Sequence, residues 1–136
     1  MNYHRILVYG TLRKDCYNRK AHIPNAISLG TTKLSGFQMY RKIQNRRIAD
    51  NFPFVVKTGF KSHKIKVEML LLTSKELRKI MKLENQYLVI PVQIEGYKEP
   101  FLMWVQDDEY LKSLPEGWAV RILSDWIPYA KKENIL

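Results

Sequence analysis

Residues 65–84, with the sequence IKVEMLLLTSKELRKIMKLE, predict a strand that leads directly into a helix. The first part, residues 65–72, becomes apolar on both faces towards its end, which is typical of a central, buried strand. Thr73 precedes Glu76 by three residues, the spacing of a capping box at the start of a helix. We therefore expect a strand over 65–72 and a helix over 74–84.

The predicted helix has one apolar face and one charged face. The apolar stripe consists of Leu77, Ile80 and Met81, and the wet face of Lys75, Arg78, Lys79 and Lys82. Glu84 completes the i, i+3, i+4, i+7 pattern of the apolar stripe. Its carboxylate is therefore expected at the point where the stripe meets the core.

Two effects are expected to raise the pKa of Glu84. Partial burial disfavours the charged form of a carboxyl, and the partial negative charge at the C-terminal end of a helix acts in the same direction. A carboxyl with a raised pKa suits general acid–base catalysis near neutral pH. The alternative is that Glu84 lies in a frayed last turn and reaches solvent, and the helical pattern alone favours this alternative.

The N-terminal part of the chain predicts a buried strand over 4–9 that enters a tight loop at Gly10. The loop reads Tyr9-Gly10-Thr11-Leu12-Arg13, and such a turn can point successive backbone N–H groups into one concavity that binds an anion. Its spacing matches neither GxxxxGK[ST] nor GxGxxG, so nucleotide phosphate binding has no support. An ordinary turn at the end of a strand is the alternative.

Strand-like segments dominate the remaining sequence. We predict further strands over 26–34, 37–42, 54–57, 87–95 and 99–106, with turns at Ser35-Gly36 and Gly96. Short helices are predicted over 107–114 and over 124–132, the second with Ser124 as its cap. Because the strands are not separated by helices, a doubly wound parallel sheet is not expected. The prediction is an α+β fold, a small mixed and largely antiparallel β-barrel with flanking helices, in one domain over 1–136.

Composition limits the classes of function. The 136 residues are 46% hydrophobic and 26% charged, which is ordinary for a globular protein. One cysteine, Cys16, permits no internal disulfide, and the scattered His4, His22 and His63 do not have the spacing of a structural zinc site. The sequence has no signal-peptide pattern and no apolar run near the ~20 residues of a membrane span, so we expect a cytoplasmic protein without a membrane partner.

The net charge of +10 would attract nucleic acid, anionic lipid or acidic small molecules. The basic residues are spread along the whole chain, with only short clusters such as Arg46-Arg47 and Lys131-Lys132. A solvated basic surface is therefore the favoured explanation. Nucleic-acid binding is possible but not favoured.

The stretch Val8-Tyr9-Gly10-Thr11-Leu12-Arg13 resembles the signature loop of the gamma-glutamylcyclotransferase superfamily, which includes AIG2-like and BtrG-like proteins. Other segments resemble the family in the same order: Gly36-Phe37-Gln38-Met39-Tyr40, Phe52-Pro53, residues 65–70 with Glu68, Lys82-Leu83-Glu84 followed by Tyr87, and Ser124-Asp125-Trp126. Together these segments cover nearly the full chain.

The resemblance implies a small mixed β-barrel with helices alongside, and an enzyme that releases 5-oxoproline from a γ-glutamyl amine or peptide. It implies that the loop holds the γ-glutamyl end of the substrate, and that Glu84 moves a proton from the substrate's α-ammonium to the leaving amine. It implies neither a metal nor a cofactor. The expected substrate-binding residues are Tyr9, Gly10, Thr11, Leu12, Arg13, Tyr40 and Tyr87.

Several alternatives stay open at this stage. Tyr40 and Tyr87 are equally compatible with packing roles, because tyrosines on strands are commonly half-buried with a wet hydroxyl. A non-catalytic ligand- or protein-binding module on the same fold is one alternative function, and a basic nucleic-acid-binding protein is another. The sequence is compatible with a monomer and with a homodimer.

Overall fold

Strands and helices follow one another along residues 2–14, 16–42, 52–115, 119–122 and 125–132, which are the residues that the computed structural model describes. The elements are β1 (His4–Val8), α1 (Tyr17–His22), β2 (Ile27–Ser35), β3 (Phe37–Lys42), β4 (Phe52–Lys57), β5 (Lys64–Leu72), α2 (Ser74–Leu83), β6 (Leu88–Val92), β7 (Phe101–Val105), α3 (Asp108–Ser113), β8 (Ala119–Ile122) and α4 (Trp126–Lys132). The predicted cap Ser124 and the basic pair Arg46-Arg47 lie outside these residues.

The strands form a five-stranded sheet in the order β2-β5-β1-β7-β6 and a three-stranded sheet in the order β4-β3-β8. Among the described strands, β1 and β7 pair in parallel and the other paired strands are antiparallel; one isolated bridge, between Val56 and Gln106, is also parallel. The mixed α+β fold is confirmed. The predicted barrel is not confirmed, because the described strands form two sheets rather than one closed sheet. Gly36, with a φ of 90°, makes the turn that sends β2 and β3 into different sheets.

The strand predicted over 65–72 is central, as expected. It is β5, which lies between β2 and β1 and places Glu68 opposite Val8, the last residue of β1. The predicted hairpin at Gly96 is also confirmed, since β6 and β7 pair in an antiparallel manner. Sequence reasoning missed α1 and β8; α1 has the polar sequence YNRKAH, no buried residue and no side-chain cap.

Helix α2 begins with the predicted capping box. The N–H of Glu76 donates to Oγ1 of Thr73 at 3.2 Å, and the N–H of Thr73 donates to Oε1 of Glu76 at 3.4 Å. The predicted apolar stripe is wrong at Met81, whose side chain is 54% exposed. Glu76 and Ile80 are buried instead, so the inward row follows the i, i+4 spacing and continues to Glu84.

The five-stranded sheet has a hydrophobic cluster on each face. Side chains alternate along β1, so Ile6 and Val8 join the cluster that includes Ile80 of α2, while Leu7 joins the cluster that includes Trp126 of α4. The C-terminal end of β1 therefore lies between two cores. Among the described residues, no helix has the length and hydropathy of a transmembrane segment.

Candidate functional site

A cavity of about 320 Å³ lies at the C-terminal end of β1. It brings together six of the eight predicted site residues: Tyr9, Gly10, Thr11, Leu12, Glu84 and Tyr87. The first four follow β1, and the other two follow α2. The cavity therefore lies where the C-terminal end of β1 meets the C-terminal end of α2.

The loop requires glycine at position 10 because of a close approach. A Cβ atom on Gly10 would lie 2.2 Å from Cγ of Pro53, closer than real Cβ contacts. The carbonyl of Gly10 then accepts a hydrogen bond from the N–H of Arg13 at 3.0 Å, which closes a tight turn. The tight loop predicted at Gly10 therefore needs glycine because Pro53 of β4 lies so close, and not because of a positive φ.

A buried ion pair between Arg19 and Glu68 contacts the end of the loop, at Leu12 and Lys14. Oε1 of Glu68 accepts hydrogen bonds from the N–H of Lys14 at 2.9 Å and from Nη1 of Arg19 at 3.1 Å. Nη1 of Arg19 also donates to the carbonyl of Leu12 at 3.2 Å. The side chains of Arg19 and Glu68 are 12% and 3% exposed, so α1 and β5 fix the loop from within the protein.

Beside the cavity, two backbone N–H groups of the loop are available as hydrogen-bond donors. Nδ2 of Asn18, which lines the cavity, donates to Oγ1 of Thr11 at 3.0 Å. Within the described part of the chain, no group accepts a hydrogen bond from the N–H of Thr11 or from that of Leu12. Two neighbouring backbone donors beside a cavity can receive an anion or an oxyanion.

Glu84 is the C-cap residue of α2 and lines the cavity. Its N–H donates to the carbonyl of Ile80 at 2.8 Å, and its carbonyl accepts from the N–H of Tyr87 at 3.0 Å. Burial raises the pKa of Glu84 from 4.5 to about 7. Among the described residues, no side chain forms an ion pair or hydrogen bond with its carboxylate, so the group remains available for proton transfer.

Tyr9 and Tyr87 form walls beside Glu84. The hydroxyl of Tyr9 donates to the carbonyl of Trp104 at 2.7 Å, and that of Tyr87 donates to the carbonyl of Pro53 at 3.2 Å. Burial, followed by nearby charges that include Glu84, raises the pKa of each tyrosine well above 10. Both hydroxyls therefore stay protonated at neutral pH and hold backbone carbonyls in place.

The structure does not bring Arg13 and Tyr40 to the cavity lining. Nη1 of Arg13 lies 2.5 Å from Oδ1 of Asp125, just before α4. Tyr40 lies on β3 of the other sheet, stacks on Phe54 with 5.5 Å between ring centroids, and donates to Gln38 at 2.9 Å. Their predicted substrate contacts therefore have no support from this geometry.

Sequence reasoning missed the roles of Asn18, Arg19 and Glu68. Glu68 did carry a signal, since an acidic residue within an apolar central strand must find a buried partner. That partner, Arg19, lies on the short helix α1, whose polar sequence has no clear helical pattern.

The chain matches a family model described as "Gamma-glutamyl cyclotransferase, AIG2-like" over residues 6–121. The chain belongs to this family. The match spans both sides of the cavity, from β1 to the strand that follows α3. No curated protein matches this member of the AIG2-like gamma-glutamyl cyclotransferase family.

Solved structures resemble this family member over nearly its whole length. An uncharacterized protein from Pyrococcus horikoshii is 26% identical, with a TM-score of 0.70 over 96% of this chain and 95% of that one. An AIG2-like protein from Mus musculus is 18% identical, with a TM-score of 0.62 over 87% and 83%. Allophanate hydrolase from Kluyveromyces lactis is 16% identical, with a TM-score of 0.75, and matches 98% of this chain but 22% of its own. The resemblances to the Mus musculus and Kluyveromyces lactis proteins, both below 25% identity, show a shared fold alone.

Proposed function

We propose that this protein is a gamma-glutamyl cyclotransferase that releases 5-oxoproline from a γ-glutamyl amine or peptide. One observation chiefly supports the proposal. The carboxyl of Glu84, with a pKa of about 7, lines the same cavity as the loop formed by residues 9–12. An acid–base group and a set of N–H donors are the two parts that this reaction needs from the protein.

In the proposed complex, the γ-glutamyl end of the substrate lies against the loop. The N–H groups of Thr11 and Leu12 donate to its α-carboxylate or to its γ-carbonyl oxygen. The buried ion pair of Arg19 and Glu68 keeps these donors in place before the substrate arrives. Donors that are already oriented stabilise a developing oxyanion without a reorganisation cost.

The reaction begins when the Glu84 carboxylate accepts a proton from the substrate's α-ammonium. The freed amine attacks the γ-carbonyl carbon, which forms the ring C–N bond and a tetrahedral oxyanion. Glu84 then returns its proton to the departing nitrogen as the bond between that nitrogen and the γ-carbon breaks. The new lactam nitrogen releases its remaining extra proton, and the released amine takes up a proton in water.

The proposed chemistry suits these residues for three reasons. The nucleophile belongs to the substrate, so that folding the substrate onto itself supplies the proximity. A single carboxyl with a pKa near neutral serves both proton transfers, because it gains and loses a proton readily at working pH. The mechanism uses no protein nucleophile, and we propose no metal or cofactor for it.

The test is to incubate the protein with a panel of γ-glutamyl amines and γ-glutamyl dipeptides and to measure 5-oxoproline by mass spectrometry. We expect at least one compound to be converted by the native protein and none by the Glu84→Gln variant. Glu95→Gln, which alters an exposed carboxylate, is the matched control and should retain full activity.

Two outcomes would contradict the proposal. Turnover that persists in folded Glu84→Gln would remove the assigned acid–base role. A compound that raises the melting temperature of the native protein but is never converted would indicate a non-catalytic binding module instead.

A further inference from the structure

The loop that connects β4 of the three-stranded sheet to β5 of the five-stranded sheet exposes an aromatic side chain, whose ring packs edge-on against that of His63 with 5.2 Å between ring centroids. Phe60 is 64% exposed, yet the backbone that carries it is firmly bonded. The N–H of Thr58 donates to the carbonyl of Gly36 at 2.8 Å, and the N–H of Gly36 donates to the carbonyl of His63 at 2.7 Å. Oγ1 of Thr58 also lies 2.8 Å from Nδ1 of His63. A well-anchored loop that exposes a large apolar ring suggests a ligand for that ring.

Lysines surround this loop without acidic neighbours in sequence. Residues 57–67 contain four lysines, Lys57, Lys61, Lys64 and Lys66, and no aspartate or glutamate. Lys57, Lys61 and Lys64 are exposed. The segment is therefore far more cationic than a surface of mixed charges.

The pairing of β2 with β5 adds a fifth lysine and a direct conflict of charge. Lys33 lies directly opposite Lys66 in the register, and Lys64 follows two residues along on the same face. Like charges opposite each other destabilise a sheet. Two described acids lie near these lysines and both have arginine partners: Asp125 forms an ion pair with Lys66 at 3.8 Å through Oδ2 while its Oδ1 pairs with Arg13, and Glu68 pairs with Arg19.

Lys57, Phe60 and Lys61 precede Lys64 along the segment from the end of β4 to the start of β5, and Lys33 lies opposite Lys66 in the sheet, so we group these six residues as the Phe60 surface. Lys64 and Lys66 are two residues apart on a strand, or about 7 Å, a distance comparable with that between successive phosphates of an extended single strand. An exposed ring offers a stacking partner for a base. A bilayer anchor would instead need several apolar side chains, whereas Phe60 is the one exposed large apolar residue of residues 57–67.

We propose that the Phe60 surface binds single-stranded nucleic acid. The phosphates bind the lysines and relieve the repulsion between Lys33 and Lys66, while a base stacks on the ring of Phe60. This proposal does not depend on the chemistry of the cavity. The Glu84→Gln variant should therefore bind nucleic acid as the native protein does.

The test measures the affinity for a fluorescent oligothymidylate of about 12 nucleotides over a range of salt concentrations. Each phosphate contact contributes about −0.7 to the slope of log K against log salt for single strands. The Lys33→Gln/Lys64→Gln/Lys66→Gln triple variant should therefore have a slope shallower by about 2. The matched control, Lys75→Gln/Lys79→Gln/Lys82→Gln, removes the same charge from the exposed face of α2 and should keep the native slope.

The aromatic contribution has its own variant. Phe60→Ala should weaken binding about tenfold with an unchanged salt slope, because stacking is lost while phosphate contacts remain; Phe60→Trp should restore the affinity. Equal losses in the two triple variants would overturn the proposal, since they would indicate net charge alone. It would also fail if Phe60→Ala bound normally, or if the protein bound phosphatidylserine vesicles but not the oligonucleotide.

Discussion

The Glu84 carboxyl ionises at a cost to the folded state. Its pKa is about 7 in the folded protein and 4.5 as its ordinary value. The folded state therefore binds more protons between these values, and its stability falls as the pH rises from 4.5 through 7. The loss is complete above the folded pKa and amounts to at most about 3 kcal/mol.

The Glu84→Gln variant should accordingly be more stable than the native protein at pH 8, and the difference should shrink towards pH 5. Thermal melts at several pH values, with Glu95→Gln as the control, provide the measurement. A stability difference that does not change with pH would show that Glu84 titrates normally. This readout is independent of turnover, so it tests the burial of Glu84 separately from its catalytic role.

Gly10 supports a second prediction, because its Cα faces the ring of Pro53. The Gly10→Ala variant forces a methyl group to within 2.2 Å of Cγ of Pro53 in the native geometry. We expect a loss of about 1–3 kcal/mol in the free energy of unfolding, measured by urea denaturation. Adding Pro53→Ala removes that Cγ and should recover part of the loss. Strict additivity of the two changes would contradict the assigned contact.

Individual positions were predictable where local spacing decides them. Glu84 follows Ile80 by four residues, which places it on the inward row of α2 provided that the helix keeps its geometry up to that residue; the N–H of Glu84 does donate to the carbonyl of Ile80. The placements of Arg13 and Tyr40 depend on partners in distant segments. Arg13 pairs with Asp125, 112 residues further on, and the ring of Tyr40 on β3 stacks on Phe54 of β4. No pattern within either segment reveals these neighbours.

Helix α1 contacts the loop through Asn18 and Arg19, and Arg19 carries the charge. Arg19 joins the loop to β5 by donating both to the carbonyl of Leu12 and to Glu68. Arg19→Gln should destabilise the protein by about 3 kcal/mol, because it leaves the buried carboxylate of Glu68 without its charge partner. It should also lower kcat, since the N–H donors of the loop lose their support. Urea denaturation and steady-state kinetics are the two measurements.

The Arg19→Gln/Glu68→Gln double variant separates the charge from the packing. Removing both charges should restore part of the stability, because no uncompensated carboxylate then remains buried. Arg78→Gln, on the exposed face of α2, is the control and should change neither quantity. If Arg19→Gln matched the native protein in both the free energy of unfolding and kcat, the loop would not depend on this ion pair.

The same comparison explains which elements the sequence predicted. The helix α2 was predictable because its capping box and its charged face are both local features. The polar helix α1 was not, because contacts from Arg19 to distant groups hold it in place. The predicted barrel is not confirmed for a similar reason, since the choice between one closed sheet and two sheets depends on strand pairing across the whole chain.

The two hydrophobic clusters share the five-stranded sheet, so we propose that residues 1–136 fold as one unit. Trp104 lies in the cluster with α2, and Trp126 in the cluster with α4. Each therefore reports on a different face of the sheet. If the sheet is common to both cores, the loss of either core should unfold the other.

Two single-tryptophan variants test this proposal. One retains Trp104 and the other retains Trp126, with phenylalanine at the remaining two positions; Trp118 lies outside the described residues. Within each variant, the urea midpoint from fluorescence should equal the midpoint from far-UV circular dichroism, because a two-state transition gives every probe the same midpoint. This comparison is made within one protein, so a change in stability caused by the substitutions does not affect it. A fluorescence midpoint that precedes the dichroism midpoint in either variant would show that the corresponding face melts alone and that the chain holds two folding units.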